Sequence, residues 1–306
     1  MKRLKLSTLV YSLLLVCFGM QVSAGTETFG AKLDRSQWYL TSSIFECSIV
    51  HEIPVYGKGV FFHEAGEPLR FYTAVTKNVM KPGRAALVIE ASSWRPGTQI
   101  EDLGYVDVVK TKTPLNVKNR RATAMMHGLL EGKAPTFTRR AWYGDGSIRV
   151  VLNSINFASV YDGYQDCVSS LLSVNFRQVE RTKVHFTVDK ALLTKKDKES
   201  LDRVILYTHA DSSVSAIYVD GHTDSTGRRI YNRRLSKARA EAVTRYLVAA
   251  DLNPDMIQTR YHGERYPVAD NRSKKSKAQN RRSTVRLVRG ETLAMPNEKS
   301  PDGELN

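Results

Sequence analysis

The chain has 306 residues and a formal net charge of +15 at pH 7. Its length exceeds that of a usual single domain, and the positive charge favours anionic polymers as partners. Past the first two dozen residues, no apolar run approaches the roughly 20 residues that a membrane-spanning helix needs, which argues against a helical membrane protein.

Lys2, Arg3 and Lys5 precede an apolar run over 6–20, followed by Val22-Ser23-Ala24 with small residues at both cleavage-sensing positions. This order of charged, apolar and small residues reads as a secretory leader over 1–24, with processing expected after Ala24 and a soluble periplasmic product. Cys17 follows Val16, where a lipoprotein leader needs a small residue, so no lipid anchor is expected. Export argues against nucleic acid as the partner and for the cell wall or outer-membrane headgroups. Two cysteines remain, Cys47 and Cys167, in a compartment where paired thiols oxidise. They are read as bonded to each other, with two separate thiols or an intermolecular link as alternatives. They are too far apart for a CxxC metal motif, so no metal site and no cofactor are expected.

Residues 25–179 read as β-rich. Short apolar or alternating runs occur at Gly59-Val60-Phe61-Phe62, Leu69-Arg70-Phe71-Tyr72, Ala86-Leu87-Val88-Ile89 and Ile148-Arg149-Val150-Val151-Leu152. Turns are expected at Pro82-Gly83, at Arg95-Pro96-Gly97, and at Gly144-Asp145-Gly146 as a two- or three-residue hairpin loop. One helix is expected over 119–130. His51, His63 and His127 are scattered singly, as packing or exposed residues are.

Beyond Thr182 the rhythm changes to strand and helix in alternation. Strands are expected over 183–188, 214–219, 257–261 and 284–288, helices over 192–207 and 232–250, and a basic loop through Lys274-Lys275-Ser276-Lys277. The fold class is therefore α+β: a β-rich first domain, 25–179, followed by a layered β-α-β-α-β-β domain, 180–290. Residues 180–290 hold 24 Lys and Arg against 13 Asp and Glu, whereas 25–179 hold 18 against 14. The tail, 291–306, is net acidic, poor in apolar residues, and expected to be disordered.

Asp224 follows an expected strand and precedes a helix, the place where α/β sheets present ligands. A turn or helix-capping role is the plain alternative. Asp224-Ser225-Thr226-Gly227 has one residue too many for an aspartic-protease motif, and no second copy exists. On the following helix Arg239 lies four residues from both Leu235 and Val243, interrupting a stripe expected to be buried together with Ala242 and Tyr246. Such an arginine must snorkel to water or meet a carboxylate. An exposed Asp224 and an inward Arg239 would make a site of two opposite charges, complementary to a zwitterion. Alanine at either is expected to remove binding and leave the fold largely intact.

Gly221-His222-Thr223-Asp224, Asn232-x-x-Leu235-Ser236-x-x-Arg239-Ala240-x-x-Val243, Gly263-Glu264-x-x-Pro267-x-Ala269-x-Asn271 and Asn280-Arg281-Arg282 resemble the OmpA-like peptidoglycan-binding domain. That resemblance implies that Asp224 and Arg239 hold the ammonium and carboxylate at the side-chain end of diaminopimelate in the stem peptide. It also implies that Thr223, Asn232, Leu235 and Arg281 line the same pocket. One departure is Tyr261, where the family usually has glycine, with His262 in the aromatic slot; a changed pocket rim is expected there.

Over nearly its full length the chain also resembles the MotY family of the sodium-driven polar flagellar motor. The resemblance rests on Gly25-Thr26-Glu27-Thr28-Phe29-Gly30, Ser36-Gln37-Trp38 and the Cys47 and Cys167 pair. It implies a T ring on the flagellar basal body, contact with the partner MotX, indirect placement of the sodium-conducting stator, and anchorage of the ring to peptidoglycan. The alternative is a wall-binding outer-membrane stability protein whose first half has another partner. A wall-cutting enzyme is the third reading. No Gly-x-Ser-x-Gly, His-Glu-x-x-His or Cys-His arrangement supports it, and His222 and His262 lack a third ligand at a recognisable spacing.

Overall fold

The computed structural model describes residues 25–92, 96–97 and 99–290. The leader, the acidic tail and Arg95 of the expected turn lie outside the described residues.

The first half contains β1 (Thr26–Phe29), β2 (Trp38–Ser42), β3 (Glu46–Ile53), β4 (Gly57–Glu64), β5 (Arg70–Val75), β6 (Gly83–Ala91), β7 (Glu101–Val108) and β8 (Asn116–Lys118). Helix α1 (Arg120–Leu130), β9 (Lys133–Arg140), β10 (Ser147–Val151) and helix α2 (Ala158–Ser170) follow. These strands form two five-stranded sheets, ordered β2-β3-β4-β5-β8 and β1-β10-β9-β6-β7. Alternation dictates which side chains turn inward: Ala85, Leu87 and Ile89 of β6 are buried, with partly exposed neighbours between them. Phe71 of the first sheet stacks on Phe137 of the second with ring centroids 5.6 Å apart, so the two sheets share one core.

His51 is fully buried, stacked 4.2 Å from Trp38. Its Nδ1 lies 2.9 Å from the Gln37 carbonyl, and its Nε2 accepts from the Asn153 N–H. Burial holds its pKa below the ordinary value, offset in part by the Gln37 hydrogen bond. The expected hairpin at Gly144-Asp145-Gly146 exists, but its loop runs from 141 to 146, because the β9–β10 ladder stops at the Arg140 and Ser147 pair. A second correction is α2, a helix absent from the expected elements. Val160, Tyr161, Tyr164, Cys167 and Val168 recur at helical spacing and pack on the core, although only Tyr164 and Cys167 are buried. Cys167 is bonded to Cys47 of β3, across a sequence separation of 120.

The second half has its own core, which begins at Val174. It comprises α3 (Phe176–Val179), β11 (Arg181–His185), α4 (Lys195–Ala210), β12 (Val214–Gly221), α5 (Arg229–Val248), β13 (Ile257–Tyr261), α6 (Lys274–Asn280) and β14 (Arg282–Arg289). Its sheet is ordered β11-β14-β12-β13, with β12 and β13 parallel and β14 antiparallel to both its neighbours. Leu201, Val204 and Tyr207 of α4 and Val243 and Leu247 of α5 pack with Val184, Ile217, Val219, Val285 and Leu287 of the sheet.

Helix α4 starts at Lys195 rather than 192 because Thr194 and Asp197 form a capping box: the Thr194 hydroxyl accepts from the Asp197 N–H, and the Asp197 carboxylate accepts from the Thr194 N–H. The expected basic loop is instead helix α6, closed at its start by a Ser273 and Ser276 box, with Lys274 and Lys275 in solvent.

The halves touch closely. Asn175 caps α3 while donating to the Ala65 carbonyl at 3.0 Å, Arg177 pairs with Glu64, and Phe45 packs 5.7 Å from Tyr207 of the second core. Gly66 sits at φ +67°, where a Cβ would come within 2.9 Å of Val174 Cα, so only glycine fits this junction.

Candidate functional site

Strand β12 ends at Gly221, tight against α5: a Cβ there would lie 2.1 Å from the Ser236 carbonyl oxygen. That close approach brings Thr223 and Asp224 over the first turns of α5. A cavity of about 270 Å³ opens there, and all six residues expected from the sequence line it: Thr223, Asp224, Asn232, Leu235, Arg239 and Arg281. Val188, Asp189, Thr226, Gly227 and Tyr231 complete the lining. Asp189, at φ +59°, accepts a hydrogen bond from the Tyr231 hydroxyl. Nothing in sequence spacing links those two, 42 residues apart.

The geometry corrects the expected charge pattern in three respects. Asp224 is not an exposed carboxylate but 7% exposed. Its ion-pair partner is Arg281, at 2.9 Å, and its other oxygen accepts from the Thr226 N–H at 3.0 Å. Burial alone would raise the Asp224 pKa, yet the Arg281 guanidinium and the Thr226 N–H hold the carboxyl below its ordinary value. Arg239, fully buried, neither snorkels nor meets a carboxylate. It donates to three backbone carbonyls, those of Lys190, His222 and Thr187, at 3.0, 3.1 and 3.1 Å.

Burial pulls the Arg239 pKa down to about 10 and nearby Asp224 pushes it up, so the guanidinium is charged at neutral pH. The buried stripe of α5 is Asn232, Ser236, Arg239, Ala240, Val243 and Leu247. Leu235 and Tyr246 are only half-buried, and Leu235 faces the cavity.

Strand β11 ends at His185, short of the expected 188, and the carbonyls of Thr187 and Lys190 beyond it serve Arg239 instead of the sheet. Asn280 is fully buried, accepts from the N–H groups of Val268 and Ala269 and donates to Asn271, setting Arg281 in place. Asn232 donates to Glu264 at 2.5 Å. Arg239 has five N–H donors and uses three, and the Thr223 hydroxyl is buried without a partner among the described residues. The cavity is therefore lined by a carboxylate, a guanidinium with N–H groups beyond its three carbonyl bonds, and a hydroxyl without a partner, a set that matches a ligand carrying both an ammonium and a carboxylate.

Tyr261 lies away from this cavity, against Arg233 and Lys237 of α5. His262 stacks 5.1 Å from His222 and holds Asp220 at 2.8 Å. Among the described residues no group of three His, Cys, Asp or Glu is placed to hold a metal.

Comparison with known proteins follows the same division. The MotY N-terminal domain matches residues 29–173, and the OmpA family matches residues 185–281. The chain is a MotY N-terminal domain joined to an OmpA-family domain. The sodium-type flagellar protein MotY of Vibrio parahaemolyticus is 29% identical over 259 residues, 83% of this chain and 88% of that protein. Outer membrane protein A of Bordetella avium is 36% identical over 103 residues, 34% of this chain and 53% of that protein, so the chain spans about half of this second relative. The crystal structure of the peptidoglycan-associated lipoprotein from Burkholderia pseudomallei is 28% identical, with a TM-score of 0.33, covering 35% of this chain and 89% of that one.

One titration in the OmpA-family domain has a measurable consequence. Burial, with Arg282 and His262 nearby, pulls the His222 imidazole down to about 4. The fold thus favours neutral His222. Its stabilisation is complete above the unfolded value of about 6.5 and is lost as pH falls from there toward 4, by about 3 kcal/mol at most. Urea midpoints of the full chain at pH 7 and pH 4.5 should fall further apart for wild type than for His222→Gln. Equal pH dependence in the two would refute this.

Proposed function

We propose that this chain is a non-enzymatic periplasmic component of the sodium-driven polar flagellar motor. In this reading the OmpA-family domain grips peptidoglycan through diaminopimelate, and the MotY N-terminal domain joins the T ring on the basal body with MotX, steadying the surroundings of the stator. The relative's name and the matched N-terminal domain support the flagellar assignment. The observation that carries wall binding is a single cavity holding the Asp224 carboxylate, the spare N–H groups of Arg239 and the unpartnered Thr223 hydroxyl. The side-chain end of diaminopimelate bears an ammonium and a carboxylate on one carbon. Asp224 takes the first, while Arg239 and Thr223 take the second, with Asn232, Leu235 and Arg281 shaping the walls.

Asp224→Asn keeps the shape and removes the charge. Its binding to isolated sacculi should weaken roughly 10- to 100-fold, the value of one or two charge-assisted contacts, with circular dichroism unchanged. Wild-type sedimentation by a folded Asp224→Asn would refute the pocket assignment. In a deletion strain, basal bodies should lack a ring that the restored protein returns; a complete ring without it would refute the motor assignment.

A further inference from the structure

Behind the Asn232 wall of the first cavity lies a second, of about 200 Å³, lined by Arg229, Arg233, Arg265, His262 and Glu264 among others. The partition is thin: Asn232 faces the first cavity and donates to Glu264, which faces the second. Three arginines line it, Arg229, Arg233 and Arg265, and none forms an ion pair within the described residues, whereas neighbouring Lys237 does, with Glu241.

This placement works against the helix. Arg229 and Arg233, then Arg233 and Lys237, stand four residues apart on α5 as like-charged neighbours, and its first turn contains no acidic residue to offset them. Departures of this kind from local preference concentrate where a ligand compensates them. Arg233 is also oriented, its guanidinium 5.3 Å from the Tyr261 ring centre.

We propose that this second cavity binds the free α-carboxylate of the glutamyl residue in the stem peptide whose zwitterionic end fills the first. The proposal rests on the wall-binding reading and adds to it a second recognition point. One carboxylate, Glu264, already stands in the lining, and its Asn232 bond draws it toward the partition. Three guanidinium groups against that one carboxylate leave the lining two positive charges in excess, which calls for an anion, and the anions that a stem peptide carries are carboxylates. The first cavity reads the diaminopimelate side-chain end; the second, one residue away, reads the charge on a neighbouring part of the same peptide.

The test uses the full chain and two soluble disaccharide tripeptides. One has all carboxylates free. In the other the glutamyl α-carboxyl is amidated while diaminopimelate is untouched. Wild type should bind the free form roughly five- to tenfold more tightly, as expected for a few exposed guanidinium contacts. The triple variant R229Q/R233Q/R265Q, whose changes all lie in solvent, should bind both forms equally, at the wild-type affinity for the amidated one. A wild type that binds both equally, or a triple variant that keeps the preference, overturns the proposal while leaving the first cavity in place. If wild type binds neither form, the wall-binding reading itself falls. Phosphatidylglycerol vesicles form the last arm: arginine-dependent vesicle binding, with muropeptide binding unchanged by the triple variant, would overturn the proposal in favour of a lipid headgroup.

Discussion

Arg239→Ala is expected to destabilise the full chain by about 3–5 kcal/mol as well as to abolish wall binding. Helical spacing alone suggests a fold that survives this change, and the geometry is the reason it should not. Arg239 is fully buried, its guanidinium ties together the carbonyls of Thr187, Lys190 and His222, and its plane lies 5.2 Å from the Phe186 ring. Alanine leaves three carbonyls without their donor and a void beneath α5. It also releases the segment after β11 that forms one wall of the cavity.

Lysine at 239 should recover only part of the stability, because an ammonium cannot span three carbonyls as a planar fork does. Urea unfolding of wild type, Arg239→Ala, Arg239→Lys and Asp224→Asn separates the two roles. Asp224→Asn should lose binding with a far smaller loss of stability. An Arg239→Ala protein with wild-type midpoint would show that the three hydrogen bonds are immaterial to the fold.

Loss of the Cys47 and Cys167 bond should be of similar size. The two cysteines are separated by 120 residues, a loop whose closure stabilises by up to about 5 kcal/mol in the chain-entropy account. For a cooperative unit the size of the first half, about 150 residues, that corresponds to a fall in Tm of roughly 10–20 °C. The effect should concentrate on α2, since the disulfide ties it to β3 and only Tyr164 and Cys167 of its residues are buried, with Val160, Tyr161 and Val168 packed on the core half-exposed. Cys47→Ala/Cys167→Ala, compared with the oxidised protein, should melt earlier and be cut by thermolysin first within 158–170. Identical melting and digestion with and without reductant would refute this.

Of the cavity residues, Thr223, Asn232, Leu235 and Arg281 follow only from the resemblance to the OmpA-like domain, whereas Asp224 at a strand end and Arg239 at helical spacing are legible from local pattern. The β-rich first half and the layered second half are legible for the same reason, since alternation and helical periodicity report which face of an element is buried. Patterns of this kind carry no partner information. That Asp224 pairs with Arg281, 57 residues away, and that Arg239 answers to carbonyls on a segment 49 to 52 residues before it, follows from how β12, β14 and α5 are laid side by side.

Helix α2 is written in the sequence as the stripe Val160, Tyr161, Tyr164, Cys167 and Val168, a signal that the expected elements omit. The same limit hides α6, where a serine box and the buried Asn280 fix a helix over a run of lysines. Burial of a face is written into periodic sequence, because the hydrophobic effect acts on every residue of that face. Pairing between distant polar groups depends on a few atoms meeting at hydrogen-bond distance, and only the assembled sheet and helices bring them there.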